Sequence, residues 1–273
     1  MSHASAAQLV RELLEGPITR PALLRWRRQQ FLAKQGLGFY FGVYDSFKAA
    51  RERLPLNPEF DNVELAAEYV EVRTRQIVAY DYPVIWWLER ALRQGARTVM
   101  DIGGSVGVHF HAYRAYLDMP ADLTWRVIEV PAIVAVGRRL ATERGVTALS
   151  FTDDLREAVD SAAADIWIAA GALQYMEGGQ PGGLIKRCFK RPQHVLLNKL
   201  PLYGGEDFVT TQNIGEGCFA PMHVFNGKDL ICGVEALGYT LRDRWQVHER
   251  AMYLPGHPER SFPSFTGLYF YAR

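Results

Sequence analysis

The sequence predicts an α/β fold with a mostly parallel sheet, a helical N-terminal extension and a C-terminal antiparallel hairpin. Three observations support this prediction: short apolar runs alternate with helical stretches, a glycine-rich turn follows one such run, and two β-rich runs joined by a Pro/Gly loop end the chain. We therefore expect a helical extension or cap over residues 1–94 and an α/β domain over residues 95–273.

The N-terminal part of the chain predicts helices joined by irregular segments. Residues 6–34 and 63–95 have helical patterns, the first broken near Gly16-Pro17 and the second interrupted around Tyr82-Pro83. Between them lies an aromatic segment, Phe39–Phe47. Such aromatic side chains either line a ligand pocket or pack the extension against the core, and composition alone does not distinguish these roles.

The remainder of the chain predicts alternating strands and helices. Five strands are expected before the hairpin, at 97–102, 124–129, 148–151, 164–170 and 194–198, and the hairpin strands at 240–248 and 265–272. Helices are expected near 106–117, 131–144, 154–161, 181–189 and 226–237. The glycine-rich stretch 200–225 predicts a long loop, which we interpret as a lid over an acceptor site.

Composition narrows the class of protein. The 31 Lys and Arg residues nearly balance the 30 Asp and Glu residues, so no global charge favours nucleic acid or an anionic membrane as a partner. The three cysteines form no CxxC pair, which is typical of a reducing compartment. No apolar run reaches the roughly 20 residues of a membrane-spanning helix, and no signal peptide is evident. The expected location is the cytoplasm.

A glycine turn carries the clearest functional signal. The apolar run Thr98–Ile102 leads into Gly103-Gly104-Ser105-Val106-Gly107, a pattern typical of a strand that turns into a helix around a ligand. Gly103 and Gly104 are expected to leave room for a cofactor, Ser105 to cap the helix, and Gly107 to allow close packing. A purely structural turn is the alternative interpretation.

Polar residues follow the neighbouring strands. Glu129 ends the second strand roughly twenty residues after the turn, where a nucleotide ribose would lie. Asp153 could accept from an adenine amine, although Asp154 beside it could simply cap a helix. Gly171 and Ala172 follow the fourth strand, at the sheet edge where ligands bind in open α/β sheets.

Two cofactors suit such a turn, a nicotinamide dinucleotide and S-adenosylmethionine. The turn Gly103–Gly107 lacks the full GxGxxG spacing that seats a pyrophosphate. A terminal hairpin also departs from the all-parallel second half of a dinucleotide fold. Both observations favour the methyl donor.

With these residues in place, the sequence resembles class I methyltransferases, whose first motif is an acid followed by a glycine turn, here Asp101 and Gly103–Gly107. More narrowly, it resembles a bacterial methyltransferase family, often associated with surface-polysaccharide gene regions, with FxGxYxSF upstream of DxGGSxG. A third motif of that family appears as residues 170–175, with Ala170 in place of serine. The resemblance covers roughly residues 39–245. It implies a Rossmann-like class I methyltransferase fold, S-adenosylmethionine as cofactor and Asp101 as a cofactor-binding residue.

The acceptor and the catalytic base are less well marked. Methyl transfer to a hydroxyl or an amine is helped by a general base. The candidates are His109 and His111, just beyond the glycine turn, and His223, which is the first to test. Residues that could contact a small-molecule acceptor are Tyr40, Tyr44, Gln174, Tyr175, Gln212 and Asn213. The pair His109 and His111 cannot chelate a metal from a helix, because positions i and i+2 point to different faces, so no metal is expected.

Three hypotheses therefore stay open. The first is methyl transfer to a small molecule, on oxygen or nitrogen of a sugar, natural product or peptide-derived metabolite. The second is a nicotinamide-dependent oxidoreductase that uses the same turn and Glu129. The third is a non-catalytic methyltransferase-like protein that binds a partner through its basic, aromatic N-terminal region. The aromatic N-terminal segment also suggests a homodimer.

Overall fold

The central element is a seven-stranded sheet. A computed structural model describes residues 16, 18–161 and 163–272, so the first part of the helix expected over 6–34 lies outside the described residues. The sheet has the order β4-β3-β2-β5-β6-β11-β10. Its strands are β2 (Thr98–Ile102), β3 (Thr124–Ile128), β4 (Leu149–Thr152), β5 (Ile166–Ala170), β6 (His194–Leu200), β10 (Tyr239–Val247) and β11 (Phe265–Ala272).

The strand directions confirm the predicted fold class. Strands β2 to β6 run parallel, whereas β11 is antiparallel to both β6 and β10. The C-terminal hairpin therefore inserts its second strand beside the parallel strands and leaves β10 at the edge. This order, with its one reversed strand, is the mostly parallel α/β sheet with a C-terminal antiparallel hairpin that the sequence predicts.

Strand β5 in the middle of the sheet is buried on both faces, which explains its unbroken apolar sequence. All five residues of β5 are buried. One apolar cluster, including Leu88, Trp125 and Ile168, covers one face of the sheet. A second cluster, including Trp167 and Ile185, covers the other face. Parallel sheets need this double cover because their crossover helices pack on both sides.

The helices match the expected positions but several are shorter. Pro131 begins one of them at the first helical position, where the missing N–H of proline costs nothing. The helices are α1 (Arg20–Leu32), α2 (Phe47–Arg51), α3 (Ala66–Glu68), α4 (Tyr82–Arg93), α5 (Val108–Tyr113), α6 (Pro131–Glu143), α7 (Leu155–Asp160), α8 (Pro181–Arg187) and α9 (Gly227–Glu235).

A second sheet of four strands is the main departure from the sequence-based expectation. It has the order β1-β8-β9-β7 and consists of β1 (Tyr40–Tyr44), β7 (Leu202–Tyr203), β8 (Phe208–Gly215) and β9 (Cys218–Asn226). The expected loop lid over 200–225 is therefore wrong. The glycine-rich context suggested a loop, yet the four polar residues at 210–213 are buried because β8 lies between two partner strands.

Strand β1 joins the N-terminal part of the chain to this second sheet. Tyr40 pairs with Gln212 and Tyr44 with Val209. The aromatic segment 39–47 thus supplies an edge strand and the start of α2, neither of which its composition predicted. The side chain of Tyr40 enters an apolar cluster with Tyr80, Phe208 and Met222. The second sheet therefore packs above the carboxyl edge of the large sheet.

Candidate functional site

The glycine turn after β2 adopts a left-handed backbone at three positions. The φ angles are 69° at Gly103, 54° at Ser105 and 87° at Gly107. The Gly103 N–H donates to the Ile128 carbonyl of the neighbouring strand at 2.8 Å. Left-handed conformations are easy for glycine and costly for other residues. The strained Ser105 in this turn is typical of a functional site.

The two glycines at the start of the turn make room for the protein's own atoms. A Cβ added to Gly103 would lie 2.1 Å from the Cβ of Ala172, and one added to Gly104 would lie 2.4 Å from Oδ2 of Asp101. The structure thus gives a second reason for glycine at these positions, besides the room for a ligand that the sequence predicts. What they allow is close contact between the turn, the loop after β5 and the Asp101 carboxylate.

Asp101 is fully buried and is bound by two side chains of the protein. Nδ1 of His109 lies 2.9 Å from its Oδ2, and the indole N–H of Trp125 donates to the same oxygen at 3.1 Å. His109 itself is only 5% exposed. The structure thus places Asp101 and His109 beneath the turn, where they hold it in place.

Glu129 faces the turn from the end of β3. Its Oε1 accepts from the Ser105 N–H at 3.3 Å, and its Oε2 accepts from the Val130 N–H at 2.8 Å. Burial raises the pKa of this carboxyl to about 7, with a smaller contribution from Asp101, and the two N–H groups oppose the rise. The two backbone bonds fix the carboxyl group at the spot where the sequence expects a ribose.

The remaining expected cofactor residues lie along the same edge. Asp153 is exposed just beyond β4, and Asp154 next to it caps α7 by accepting from the Glu157 N–H at 2.8 Å. Gly171 has a φ of 82°, and its N–H donates to the Asn198 carbonyl. Ala172 touches the turn at Gly103. These residues follow neighbouring parallel strands, and this is the sheet edge where ligands bind in open α/β folds.

A second part of the site was missed by the sequence patterns. Lys199, immediately after the last β5–β6 pair, has a left-handed backbone with a φ of 56°. The fully buried Asn198 holds this conformation: its Oδ1 accepts from the Lys199 N–H at 3.0 Å and from the Trp245 indole N–H at 3.1 Å. Its Nδ2 donates to the Tyr80 carbonyl at 2.9 Å.

Four of the six expected acceptor residues lie together above this edge. Gln174 is 2% exposed and donates to the Lys199 carbonyl. The Tyr175 hydroxyl donates to Oε1 of Gln212, which pairs across the second sheet with Tyr40. Burial raises the pKa of Tyr40 to about 12, so this hydroxyl stays protonated. These groups surround the carboxyl ends of β5 and β6 with hydrogen-bonding side chains.

The other two expected acceptor residues lie elsewhere. Asn213 donates to the carbonyls of Phe31 and Ala33, and so it fastens the end of α1 to β8. Tyr44 lines a separate cavity of about 410 Å³ between α1, β1 and α2, together with Arg28 and Arg53 among other residues.

His223 is not brought together with the turn. On β9 its neighbours Met222 and Val224 face the apolar cluster that contains Tyr40 and Tyr80. Because successive strand residues point to opposite faces, His223 points away from that cluster. Its Nε2 instead lies 2.9 Å from Oδ2 of Asp207.

Two further properties concern the whole described part of the chain. It contains no group of three or more His, Cys, Asp or Glu side chains that could hold a metal ion. None of the helices that the structure describes is both long and apolar enough to cross a membrane.

Comparison with known proteins gives distant structural likenesses. No family model matches the chain, and no curated protein matches it. The structure is similar to a 4+2 cyclase, SpnF, with a TM-score of 0.49 and 15% identity over 80% of this chain and 98% of that one. It is also similar to a putative sarcosine dimethylglycine methyltransferase from Galdieria sulphuraria, with a TM-score of 0.49 and 7% identity over 70% and 85% of the two chains.

A third likeness is to the 1,6-didemethyltoxoflavin-N1-methyltransferase of Burkholderia thailandensis, solved with its substrate and S-adenosylhomocysteine. The TM-score is 0.43 and the identity 16%, over 80% of this chain and 92% of that one. Likenesses this distant do not transfer a function, because one fold supports many activities. The function must therefore be argued from the site of this chain.

Proposed function

We propose that this protein is an S-adenosylmethionine-dependent methyltransferase that acts on a small molecule. The observation that carries the proposal is the position of Glu129, whose carboxyl group is fixed by two backbone N–H groups and faces the left-handed turn after β2. A carboxyl group in this place can accept hydrogen bonds from both hydroxyls of a ribose.

The residues along the sheet edge fit an adenosyl cofactor. Glu129 would hold the ribose, Asp153 the adenine amine, and the backbone at Gly103–Ser105 and Gly171–Ala172 the rest of the ligand. When bound, the cofactor supplies an activated methyl group on a sulfonium. The protein then needs to position the acceptor and exclude water, and good positioning contributes roughly 7–11 kcal/mol to lowering the barrier.

The sheet supports this proposal over a nicotinamide dinucleotide. A dinucleotide fold continues with parallel strands in its second half, whereas β11 here runs antiparallel between β6 and β10. The turn also lacks the GxGxxG spacing that seats a pyrophosphate.

The acceptor side of the site is proposed to come from two parts of the chain. Strand β1 and the turn at 79–81 belong to the expected N-terminal cap over 1–94, and β7–β9 belong to the domain over 95–273.

We also propose a cytoplasmic location, since the three cysteines are free thiols. We also propose a homodimer, because the N-terminal part of the chain exposes aromatic side chains, among them Tyr82 at 59% and Trp86 at 60%.

Calorimetric titration with S-adenosylhomocysteine tests the proposal. Wild-type protein is expected to bind, and Glu129→Ala to lose roughly 1.5–3 kcal/mol of binding free energy, which is roughly 10- to 150-fold in affinity. Glu143→Ala is the matched control, because Glu143 is 62% exposed and lies at the end of α6 that is remote from Glu129. Wild-type protein that binds NADH but not S-adenosylhomocysteine would overturn the proposal.

A further inference from the structure

The side chain of Lys199 extends across the carboxyl end of the neighbouring strand. If Gly171 carried a Cβ, that atom would lie 3.2 Å from Cε of Lys199. Gly171 therefore leaves the space through which the lysine stem passes. Since Ala172 next to it touches the turn at Gly103, the lysine amine and the turn lie on either side of the same short loop.

The surroundings of the Lys199 amine contain both aromatic and charged groups. Nζ lies 5.4 Å from the ring centre of Tyr80. Burial lowers the pKa of the amine to about 8; Arg250 and Arg73 lower it further, while Asp81 and Asp101 oppose the change. Within the part of the chain that the structure describes, no carboxylate forms an ion pair with Nζ. A sizeable fraction of the amine is therefore neutral near pH 8, and a neutral amine can take up a proton.

Gln174 provides a second, independent sign of a ligand next to this amine. Its side chain is 2% exposed, and in the described structure Oε1 has no hydrogen-bond partner. Its Nε2 donates to the Lys199 carbonyl and would lie 3.7 Å from a Cβ on Gly171. Because an unpaired buried carbonyl is destabilising, this oxygen fits a ligand that carries a hydrogen-bond donor.

We propose that Lys199 is the general base of the methyl transfer and that the acceptor is a hydroxyl compound. This inference rests on the proposed function. In the reaction, the acceptor oxygen loses its proton to the neutral Nζ and forms a bond to the methyl carbon. The carbon–sulfur bond breaks with its electron pair remaining on sulfur, which leaves an ether, a lysine ammonium and neutral S-adenosylhomocysteine.

The histidines that the sequence offered as bases are less suited to this step. His111 is buried, and burial lowers its pKa to about 4, so it is a weak base. Nδ1 of His109 is engaged by the buried Asp101, and His223 faces away from the tyrosine cluster. Lys199 lies at the carboxyl ends of the parallel strands, between the loop after β5 and the Tyr80 ring. It is also held there by Asn198, whose side chain bonds both to its backbone and to the segment that carries Tyr80.

Amine labelling tests the placement and the basicity of Lys199 without any acceptor. Wild-type protein is treated with acetic anhydride over a range of pH, with and without S-adenosylhomocysteine, and each lysine is followed by peptide mass spectrometry. Half-maximal labelling of Lys199 is expected at pH about 8. The 63% exposed Lys190 is the internal control, which S-adenosylhomocysteine should leave unaffected. We expect S-adenosylhomocysteine to slow the labelling of Lys199 by about fivefold or more, since ligand at the turn covers the loop that the lysine crosses.

The outcomes separate this inference from the proposed function. Suppose that S-adenosylhomocysteine binds in the calorimeter but does not protect Lys199, and that Lys199 is not labelled by acetic anhydride near pH 8. The inference then fails while the proposed function stands. Lys199→Met should bind S-adenosylhomocysteine within about threefold of wild type. A loss of about tenfold or more would mean that Lys199 holds the cofactor, which also overturns the inference.

Turnover measurements test the base itself. Sugars, phenols and alcohols are screened with tritium-labelled S-adenosylmethionine, and wild-type kcat on a methylated hydroxyl compound is expected to rise with pH through about 8. Lys199→Met should lower kcat about 100-fold with KM nearly unchanged and remove this pH dependence. Lys199→Arg, which keeps the charge, should be equally inactive, and thermal melting checks that both variants fold. A kcat within about threefold of wild type, or transfer to carboxylates alone, would overturn the proposal.

Discussion

The proposed site has a cofactor side and an acceptor side, and the two differ in how the chain builds them. On the cofactor side, the turn 103–107, Asp101 and His109 are neighbours in sequence, and Glu129 follows on the next strand. On the acceptor side, Lys199 meets the segment 79–81 and a sheet whose strands come from both ends of the chain. The first kind of site can be recognised from a short motif. The second exists only once distant segments have packed together.

The largest expected effect lies on the cofactor side, at the turn. Gly103→Ala would force a side chain into a backbone with a φ of 69° and against the Cβ of Ala172 at 2.1 Å. The combined strain and overlap should cost roughly 2–5 kcal/mol of unfolding free energy and weaken S-adenosylhomocysteine binding. Chemical denaturation and calorimetry measure the two effects.

A glycine in a helix is the matched control for this substitution. A Cβ added to Gly183 in α8 would meet nothing within 4 Å, so Gly183→Ala should leave binding unchanged and stabilise the protein by about 0.5–1 kcal/mol. Equal stability losses in both variants would show that the turn is not held by close contact.

A smaller effect is expected on the acceptor side. Asn198→Ala removes three hydrogen bonds of a buried side chain, to Tyr80, Lys199 and Trp245, and should cost roughly 2–4 kcal/mol of unfolding free energy. Protein that remains folded should still bind S-adenosylhomocysteine but lose the reactivity of Lys199 towards acetic anhydride. The exposed Gln193, one residue before β6, gives a control in Gln193→Ala. Loss of cofactor binding with retained Lys199 reactivity would contradict the division into two sides.

A pH-dependent effect comes from His111 beneath the cofactor side. Burial lowers the pKa of His111 to about 4, and Arg144 and Arg114 lower it further. Because the unfolded chain takes up this proton at higher pH than the folded protein, stability falls as the pH drops from about 6.5 towards about 4. His111→Leu should reduce that loss, since both ring nitrogens lack partners in the described structure. Urea denaturation at pH 7 and at lower pH measures the unfolding free energy of both proteins. If this free energy falls with pH equally in wild type and in His111→Leu, the account is refuted.

The smallest effect on the site is expected at His223. His223→Ala removes a bond to Asp207 and should cost about 1 kcal/mol of stability. Methyl transfer and S-adenosylhomocysteine affinity should stay within about threefold of wild type, because the side chain points away from the tyrosine cluster. A loss of about 100-fold in kcat would instead identify His223 as the base and exclude Lys199.

The predictability of the fold and of the site follows the same division. The strands of the large sheet are predicted to within two residues at every end, because short apolar or β-rich runs mark them in the sequence. Strand β5, which is buried on both faces, gives the clearest apolar run. The turn is predicted because its glycines directly follow β2 in the sequence and so form a short local motif. The strands β8 and β9 are missed, because buried polar residues such as Thr210 and Gln212 resemble loop residues until their partner strands are known.

Lys199 is missed for a related reason. In sequence it is an ordinary lysine before Leu200 and Pro201 at the end of an apolar run. Its left-handed backbone is imposed by Asn198, and its amine is desolvated by Tyr80 and its neighbours, which come from a remote segment. One signal was available in the sequence: Asn198 is an amide in an otherwise apolar strand, and a buried amide needs several partners.

The pairing of β1 with β8 has a consequence for the synthesis of the chain. Tyr40–Tyr44 leaves the ribosome early, while its partner Phe208–Gly215 emerges only after most of the large sheet. Until then the aromatic strand presents unpaired N–H and C=O groups, which invite association with other nascent chains. Slow translation or a shortage of chaperones should therefore affect the yield of this protein through its first strand, well before the cofactor site exists.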